Sequence, residues 1–119
     1  MIARGDVYWV DHSGARGAET RKTRPAVVVS LGDINDLLDT VAVVPLSSGR
    51  ARDFEVDVPA GLVGDGRPGR LKTHQLRAVD KVRLGKKVGR LPLDVMSSLE
   101  KSLLYYLGMA RPKPRPPLL

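Results

Sequence analysis

Apolar residues along this chain come in short runs with the period of a strand, followed by one longer stretch with the period of a helix. Gly5 to Val10 (GDVYWV), Ala26 to Leu31 and Thr40 to Ser47 (TVAVVPLS) are rich in branched and aromatic residues and predict three strands. Phe54 to Val58 alternates cleanly and predicts a fourth, half-buried strand. Arg70 to Val79 predicts one or two more, Asp80 to Leu84 a turn, and Lys86 to Leu91 a short last strand. From Pro92 the period changes. Val95, Met96, Leu99, Leu103, Tyr106 and Leu107 recur at three- and four-residue steps, with Asp94 near the start and Gly108 as a stop. Short strands followed by one closing helix, without alternation of strand and helix, predict a small curved sheet or barrel.

The breaks are as informative as the runs. Asp11 to Arg24 is a long polar loop with two glycines and four basic residues, Arg16, Arg21, Lys22 and Arg24; its length predicts a functional or a disordered segment, mobile in either case. Gly32 to Asp39 has room for one helical turn. Pro45 cannot donate to a ladder, which predicts an edge or a bulge near Ser47. Pro59 to Gly69 forms a second long loop whose four glycines lack the spacing of a phosphate-binding fingerprint. Trp9 is the only tryptophan and is expected to pack rather than to stack on a base.

Composition narrows the function classes. With 119 residues, one domain over 1–110 is expected, followed by a basic proline-rich tail, 111–119, expected to be disordered. Cysteine is absent and there are two histidines, His12 and His74, which argues against disulfides, thiol chemistry and a structural zinc site. The start has no apolar core of signal-peptide length and no run approaches the ~20 residues of a membrane span, so a soluble, cytoplasmic protein without membrane partners is expected. The formal charge is +7, of which the tail supplies three, leaving a moderately basic body suited to an anionic partner.

No nucleophile elbow, His-Glu-x-x-His or Walker loop is present, and the scattered carboxylates give a metal-dependent nuclease little support. Chemistry must then come from arginine, hydroxyls and the histidines. Pro25 holds Arg24 extended at the mouth of the Val27-Val28-Val29 strand, where a planar guanidinium suits a phosphate. Ser47 and Ser48 close an apolar strand and offer hydroxyl donors, or simply begin a turn before Gly49. His74 has the pKa for proton transfer near neutrality, although a structural histidine is the commoner case. His12 is placed in the mobile loop, and nothing in the spacing pairs it with His74.

Taken together, these residues resemble the MazF/PemK family of toxin ribonucleases from bacterial toxin–antitoxin systems, over residues 5–108. Four segments carry the resemblance in order: Gly5-Asp6-Val7-Tyr8-Trp9-Val10-Asp11, Arg24-Pro25-Ala26-Val27-Val28-Val29-Ser30, Val44-Pro45-Leu46-Ser47-Ser48, and Gln75-Leu76-Arg77-Ala78-Val79-Asp80-Lys81-Val82-Arg83-Leu84. The resemblance implies a mostly β, SH3-like barrel with a C-terminal helix, the plug-like fold of MazF, CcdB and Kid. It also implies a homodimer, a MazE-like antitoxin, contact with operator DNA only through the antitoxin complex, and no cofactor or metal.

The implied activity is sequence-selective cleavage of single-stranded RNA by attack of the substrate's own 2′-hydroxyl. The products are a 2′,3′-cyclic phosphate and a 5′-hydroxyl. By position, Arg24 matches the family's catalytic arginine and Ser47 its catalytic hydroxyl, while Glu19, Arg21, Lys22, Ser48, His74, Gln75 and Arg77 are expected to bind substrate. Two segments depart from the family pattern: His74 stands where an acidic residue is usual, and Gly17-Ala18-Glu19-Thr20 replaces a Gly-x-Glu-Gln loop. Two alternatives remain: a non-enzymatic gyrase-inhibiting toxin on the same fold, and an inactive nucleic-acid-binding barrel using Arg50, Arg52, Lys72 and Arg77.

Overall fold

A computed structural model describes residues 1–19, 22–61 and 68–110. The strands are β1 (Asp6–Val10), β2 (Arg24–Val28), β3 (Thr40–Ser48), β4 (Val56–Val58), β5 (Gly69–Leu71), β6 (Arg77–Asp80) and β7 (Leu84–Arg90). Among the described residues the strands pair antiparallel, in the order β4-β5-β3-β2-β1-β7, with β6 also paired to β3. Helix α1 (Gly32–Leu37) fills the break after β2, and α2 (Leu93–Tyr106) follows the last strand. This is the mostly β fold with a C-terminal helix that the sequence predicts.

Strand alternation sorts the core into two faces. Val7, Val27, Val44, Leu46, Val56, Val58 and Leu71 form one buried cluster with Leu91, Val95, Met96 and Leu99, so this face carries α2. Val10, Ala26, Val28, Val41, Val43 and Val79 make the other. Each such side chain taken fully out of water contributes about 1.5–3 kcal/mol. The apolar stripe of α2 is shorter than its periodicity predicts: Leu103 packs against the cluster, but Tyr106 and Leu107 are about half exposed, at 49% and 51%. Gly108 ends the helix at φ 72°, a left-handed conformation that side-chain-bearing residues rarely adopt.

Three expectations are corrected. Pro45 lies in the interior of the sheet, not on an edge. One side of β3 runs along β2, while the other passes from β6 at Thr40–Val43 to β5 at Leu46–Ser48. Pro45 sits at that change of partner, and its carbonyl accepts the Lys72 amide at 2.9 Å. The N and O of one strand residue point the same way, so the missing N–H falls where no ladder bond is required. His12 is fully buried rather than carried in an open loop, because the chain keeps pairing past β1: the Asp11 amide donates to the Arg83 carbonyl at 3.0 Å. Trp9 shares the face of Val7 but lies beyond the edge of the core and is 40% exposed.

Smaller differences concern boundaries. The strand expected from Phe54 begins at Val56, and the run from Arg70 splits into β5, a 3-10 turn at Thr73–Gln75, and β6. Among the described residues, no helix is long and apolar enough to cross a membrane. The tail, 111–119, lies outside the described residues.

Candidate active site at the rim of β2 and β3

The register places a row of side chains across the sheet. Val10 of β1 faces Arg24 of β2, and the β2–β3 ladder runs from Val28–Val43 to Ala26–Pro45, ending two residues short of Arg24 and Ser47. Ser47 faces Arg70 of β5, which in turn faces Asp57 of β4. Directly opposed residues share a sheet face with Cβ atoms about 4.5–5.5 Å apart, so the Ser47 hydroxyl stands beside the Arg70 side chain.

Arg24 and Ser47 also line a common pocket of about 420 Å³ with Trp9, Lys22, Thr23, Pro25, Leu46, Ser48, Pro68 and Gly69. Local sequence explains its form. Pro25 keeps the residue before it extended and lies buried, so Arg24 projects from a fixed strand end. Gly69 lets two strands approach closely beside Ser48: a Cβ there would stand 3.0 Å from the Ser47 carbonyl oxygen. No described carboxylate forms an ion pair with Arg24.

Next to this rim, a second set of residues fastens the loop after β1. Arg83 Nη1 donates to the carbonyls of Asp11 at 3.0 Å and Ser13 at 2.7 Å. Gln75 Nε2 donates to the Ala18 carbonyl at 3.1 Å. Arg77 Nη1 lies 3.5 Å from His12 Nδ1, and because a guanidinium only donates, that nitrogen accepts and the imidazole proton belongs on Nε2. Burial first, then the Arg77 charge, lowers the His12 pKa below its ordinary 6.5.

His74 belongs to a different group. Its Nδ1 is 3.7 Å from Oε2 of Glu55, whose side chain is wholly buried, and its ring meets Phe54 edge-on at 5.4 Å. Arg70 Nη1 donates to both Glu55 oxygens, at 3.0 and 3.3 Å. The Arg52 amide donates to Oε1 at 2.9 Å. Burial lowers the pKa of His74, with Glu55 opposing and Arg52 adding to the shift. Helix α2 braces the same turn: Tyr106 donates its hydroxyl to the His74 carbonyl at 3.3 Å, and Thr73 and Ser102 share a hydrogen bond of 2.7 Å.

Residues 3–107 match the family described as PemK-like, MazF-like toxin of type II toxin–antitoxin system. The chain belongs to that family. It is 30% identical over 116 residues to endoribonuclease MazF9 of Mycobacterium tuberculosis, covering 92% of this chain and 98% of the relative. It is 27% identical to endoribonuclease EndoA of Bacillus subtilis over 113 residues, covering 92% and 97%. Among solved structures, MazF of Deinococcus radiodurans superposes with a TM-score of 0.80 at 28% identity, covering 90% of this chain and 96% of that one. A MazE–MazF complex of the same organism matches with a TM-score of 0.69 at 27% identity, covering 90% and 96%.

In this MazF-like chain the four resembling segments do different work. Asp6 of the first is buried and structural: it accepts from the Ala3 amide at 2.9 Å and pairs with Arg90 at 3.1 Å and Lys87 at 3.3 Å. Ser30, closing the second, bonds buried Asn35, which anchors α1 to the Ile2 and Ser30 carbonyls. The fourth supplies the loop fasteners. Only Arg24, Lys22, Ser47 and Ser48 among the expected site residues line the pocket. Gln75 and Arg77 contact the loop from behind, His74 lies with Glu55, and Glu19 is exposed and accepts from the Arg16 amide at 2.5 Å. Arg21 lies outside the described residues. Sequence reasoning missed Trp9, Gly69, Arg70 and Glu55. Gly69 read as the end of a loop, and only its place in β5 shows it as a strand glycine at a close backbone approach.

Proposed function

We propose that the protein is a MazF-like toxin endoribonuclease that cuts single-stranded RNA, selectively by sequence and without a metal, at the Arg24–Ser47 pocket. The observation that carries this reading is the placement of both residues on one rim, in a chain whose relatives MazF9 and EndoA are named endoribonucleases. The 2′-oxygen bonds to phosphorus as the bond to the 5′-oxygen breaks, leaving a 2′,3′-cyclic phosphate and a 5′-hydroxyl; water accepts and returns the protons. Arg24 remains charged at ordinary pH, so it acts as a stabiliser of the phosphorane rather than as a base, and it hydrogen-bonds the leaving oxygen. Ser47 donates to a non-bridging oxygen and holds the attack in line.

Lys22 and Ser48 bind the backbone beside the scissile phosphate, and Trp9 offers a face on which a base can stack, worth about 1–3 kcal/mol. Gln75 holds the loop that bears Glu19, and Glu19 and Arg21 bind substrate. Arg77 contributes charge to the groove walls and His74 an uncharged imidazole. The toxin acts in the cytoplasm as a homodimer. It is neutralised by an acidic MazE-like antitoxin, as the basic body favours. Incubating purified protein with labelled RNA in EDTA tests the chemistry. Cleavage is expected to persist and to stop when the nucleotide before the cut carries 2′-deoxyribose. Cleavage that vanishes with chelation, or continues without the 2′-hydroxyl, contradicts it.

A further inference from the structure

Arg70 has no part in the mechanism above, yet it is the residue directly opposite Ser47 in the β3–β5 register. β5, which carries Arg70, and β2, which carries Arg24, pair with opposite sides of β3. The environment of Arg70 is unusual for a surface arginine. The carboxylate that holds it, Glu55, has a side chain with no exposure, and one nitrogen of Arg70 reaches both of its oxygens. Burying a carboxylate is costly unless it is paired and hydrogen-bonded, and Glu55 meets that condition with Arg70 and the Arg52 amide together. Arg70 itself remains 21% exposed. Asp57, the other carboxylate in the row, accepts from the Ala51 amide at 2.9 Å, and among the described residues Arg70 forms its ion pair with Glu55 instead.

Other cations stand close by. Lys72 follows β5 on the same side, and its pKa is lowered by burial first, then by Arg70, with Arg24 also contributing, while Glu55 opposes. Arg70 in β5, Lys72 just after it and Arg24 in β2 flank β3, the strand that carries Ser47, as a band of cations. A band of this kind suits a chain of phosphates better than a single anion.

We infer that Arg70 is a substrate-binding residue that takes a backbone phosphate neighbouring the one held by Arg24, and that Glu55 is the positioning residue that fixes it beside Ser47. The inference rests on the reading of the protein as an RNA-cleaving enzyme and extends its groove across β5.

The test is binding of a mixed-sequence, single-stranded 2′-O-methyl RNA, which lacks the attacking hydroxyl, measured by fluorescence anisotropy across a salt series. Each phosphate contact on a single strand contributes about 0.7 to the slope of log affinity against log salt. Arg70→Ala is expected to flatten the slope by about that amount and to weaken binding about tenfold at low salt. Arg70→Lys is expected to keep the slope. In cleavage assays Arg70→Ala raises KM far more than it lowers kcat. Glu55→Gln weakens binding only while Arg70 is present, so Glu55→Gln/Arg70→Gln binds no worse than Arg70→Gln. That double variant also serves if Arg70→Ala, which leaves Glu55 buried alone, fails to fold. An unchanged slope and KM in folded Arg70→Ala or Arg70→Gln overturn the inference while leaving the enzyme reading intact. Wild-type protein that neither binds nor cuts RNA overturns both.

Discussion

Two neighbouring regions of this molecule use arginine in opposite ways. Behind the loop after β1, Arg83 and Arg77 direct their donors at the protein: two carbonyls at 3.0 and 2.7 Å, and a buried imidazole at 3.5 Å. At the rim of β2, Arg24 lines a pocket and no described carboxylate pairs with it. The first group shapes a loop; the second leaves a fixed charge facing solvent, where an anion can complete it. Arg70 stands between the two, held by buried Glu55 yet partly exposed beside Ser47. Residue type therefore says little by itself. What an arginine does depends on how many of its donors the fold already occupies.

The largest expected effect separates the two regions most sharply. Arg24→Ala should lower RNA cleavage by at least the 10²–10³-fold, roughly, that removal of one preorganised donor costs, with an unchanged melting temperature. Ser47→Ala should cost roughly 10²-fold for the same reason, again without loss of stability. A marked drop in melting temperature for either variant would place it with the structural arginines.

Arg83→Ala should show the reverse pattern. Losing two bonds from a charged donor to carbonyls costs about 1.5–3 kcal/mol each at most, reduced here by exposure to solvent, so denaturant unfolding should reveal a loss of a few kcal/mol or less. Its cleavage should fall less than that of Arg24→Ala. Gly69→Ala should move β3 at Ser47 by a few tenths of an ångström, because the new methyl meets the Ser47 carbonyl. Cleavage is expected to drop several-fold, and a variant with full activity would show that the rim tolerates displacement.

The smallest effect is a pH dependence. His12 and His74 both have pKa values lowered from 6.5, so below 6.5 the unfolded chain takes up protons that the folded chain does not. Stability should therefore be fully present above 6.5 and fall as pH drops from there toward the folded-state values. Thermal melts of wild type and His12→Asn check this: the variant should lose less stability over the same descent. Equal losses would mean that the buried imidazole is not the proton-linked group.

Much of the fold was legible because its signals are local. Branched runs gave β1, β2 and β3, the change of period at Pro92 gave α2, and Gly108 marked its end. What escaped were facts of register. Nothing in the run TVAVVPLS tells that β3 changes partners at Pro45, so a proline in the middle of a sheet reads as an edge. His12 reads as a loop residue because its burial depends on Arg77 and Arg83, far along the chain. The site divides in the same way. Arg24 and Ser47 were accessible through motif order. Arg70 and Glu55 were not, since their proximity to Ser47 arises from the pairing of β3, β4 and β5 and from a diagonal contact across that sheet. Gln75 and Arg77 sit in a recognisable motif, but only the structure reveals that they contact the loop from behind.

The account rests on Arg24 and Ser47 acting together on an RNA phosphate. The most direct measurement maps the ends of RNA cut by wild type and by a thermally matched Arg24→Ala, in EDTA. Wild type should leave 2′,3′-cyclic phosphate and 5′-hydroxyl ends at a recurring short sequence, and Arg24→Ala should leave the RNA intact. The same ends from Arg24→Ala at a comparable rate, or 5′-phosphate ends from wild type, would contradict it.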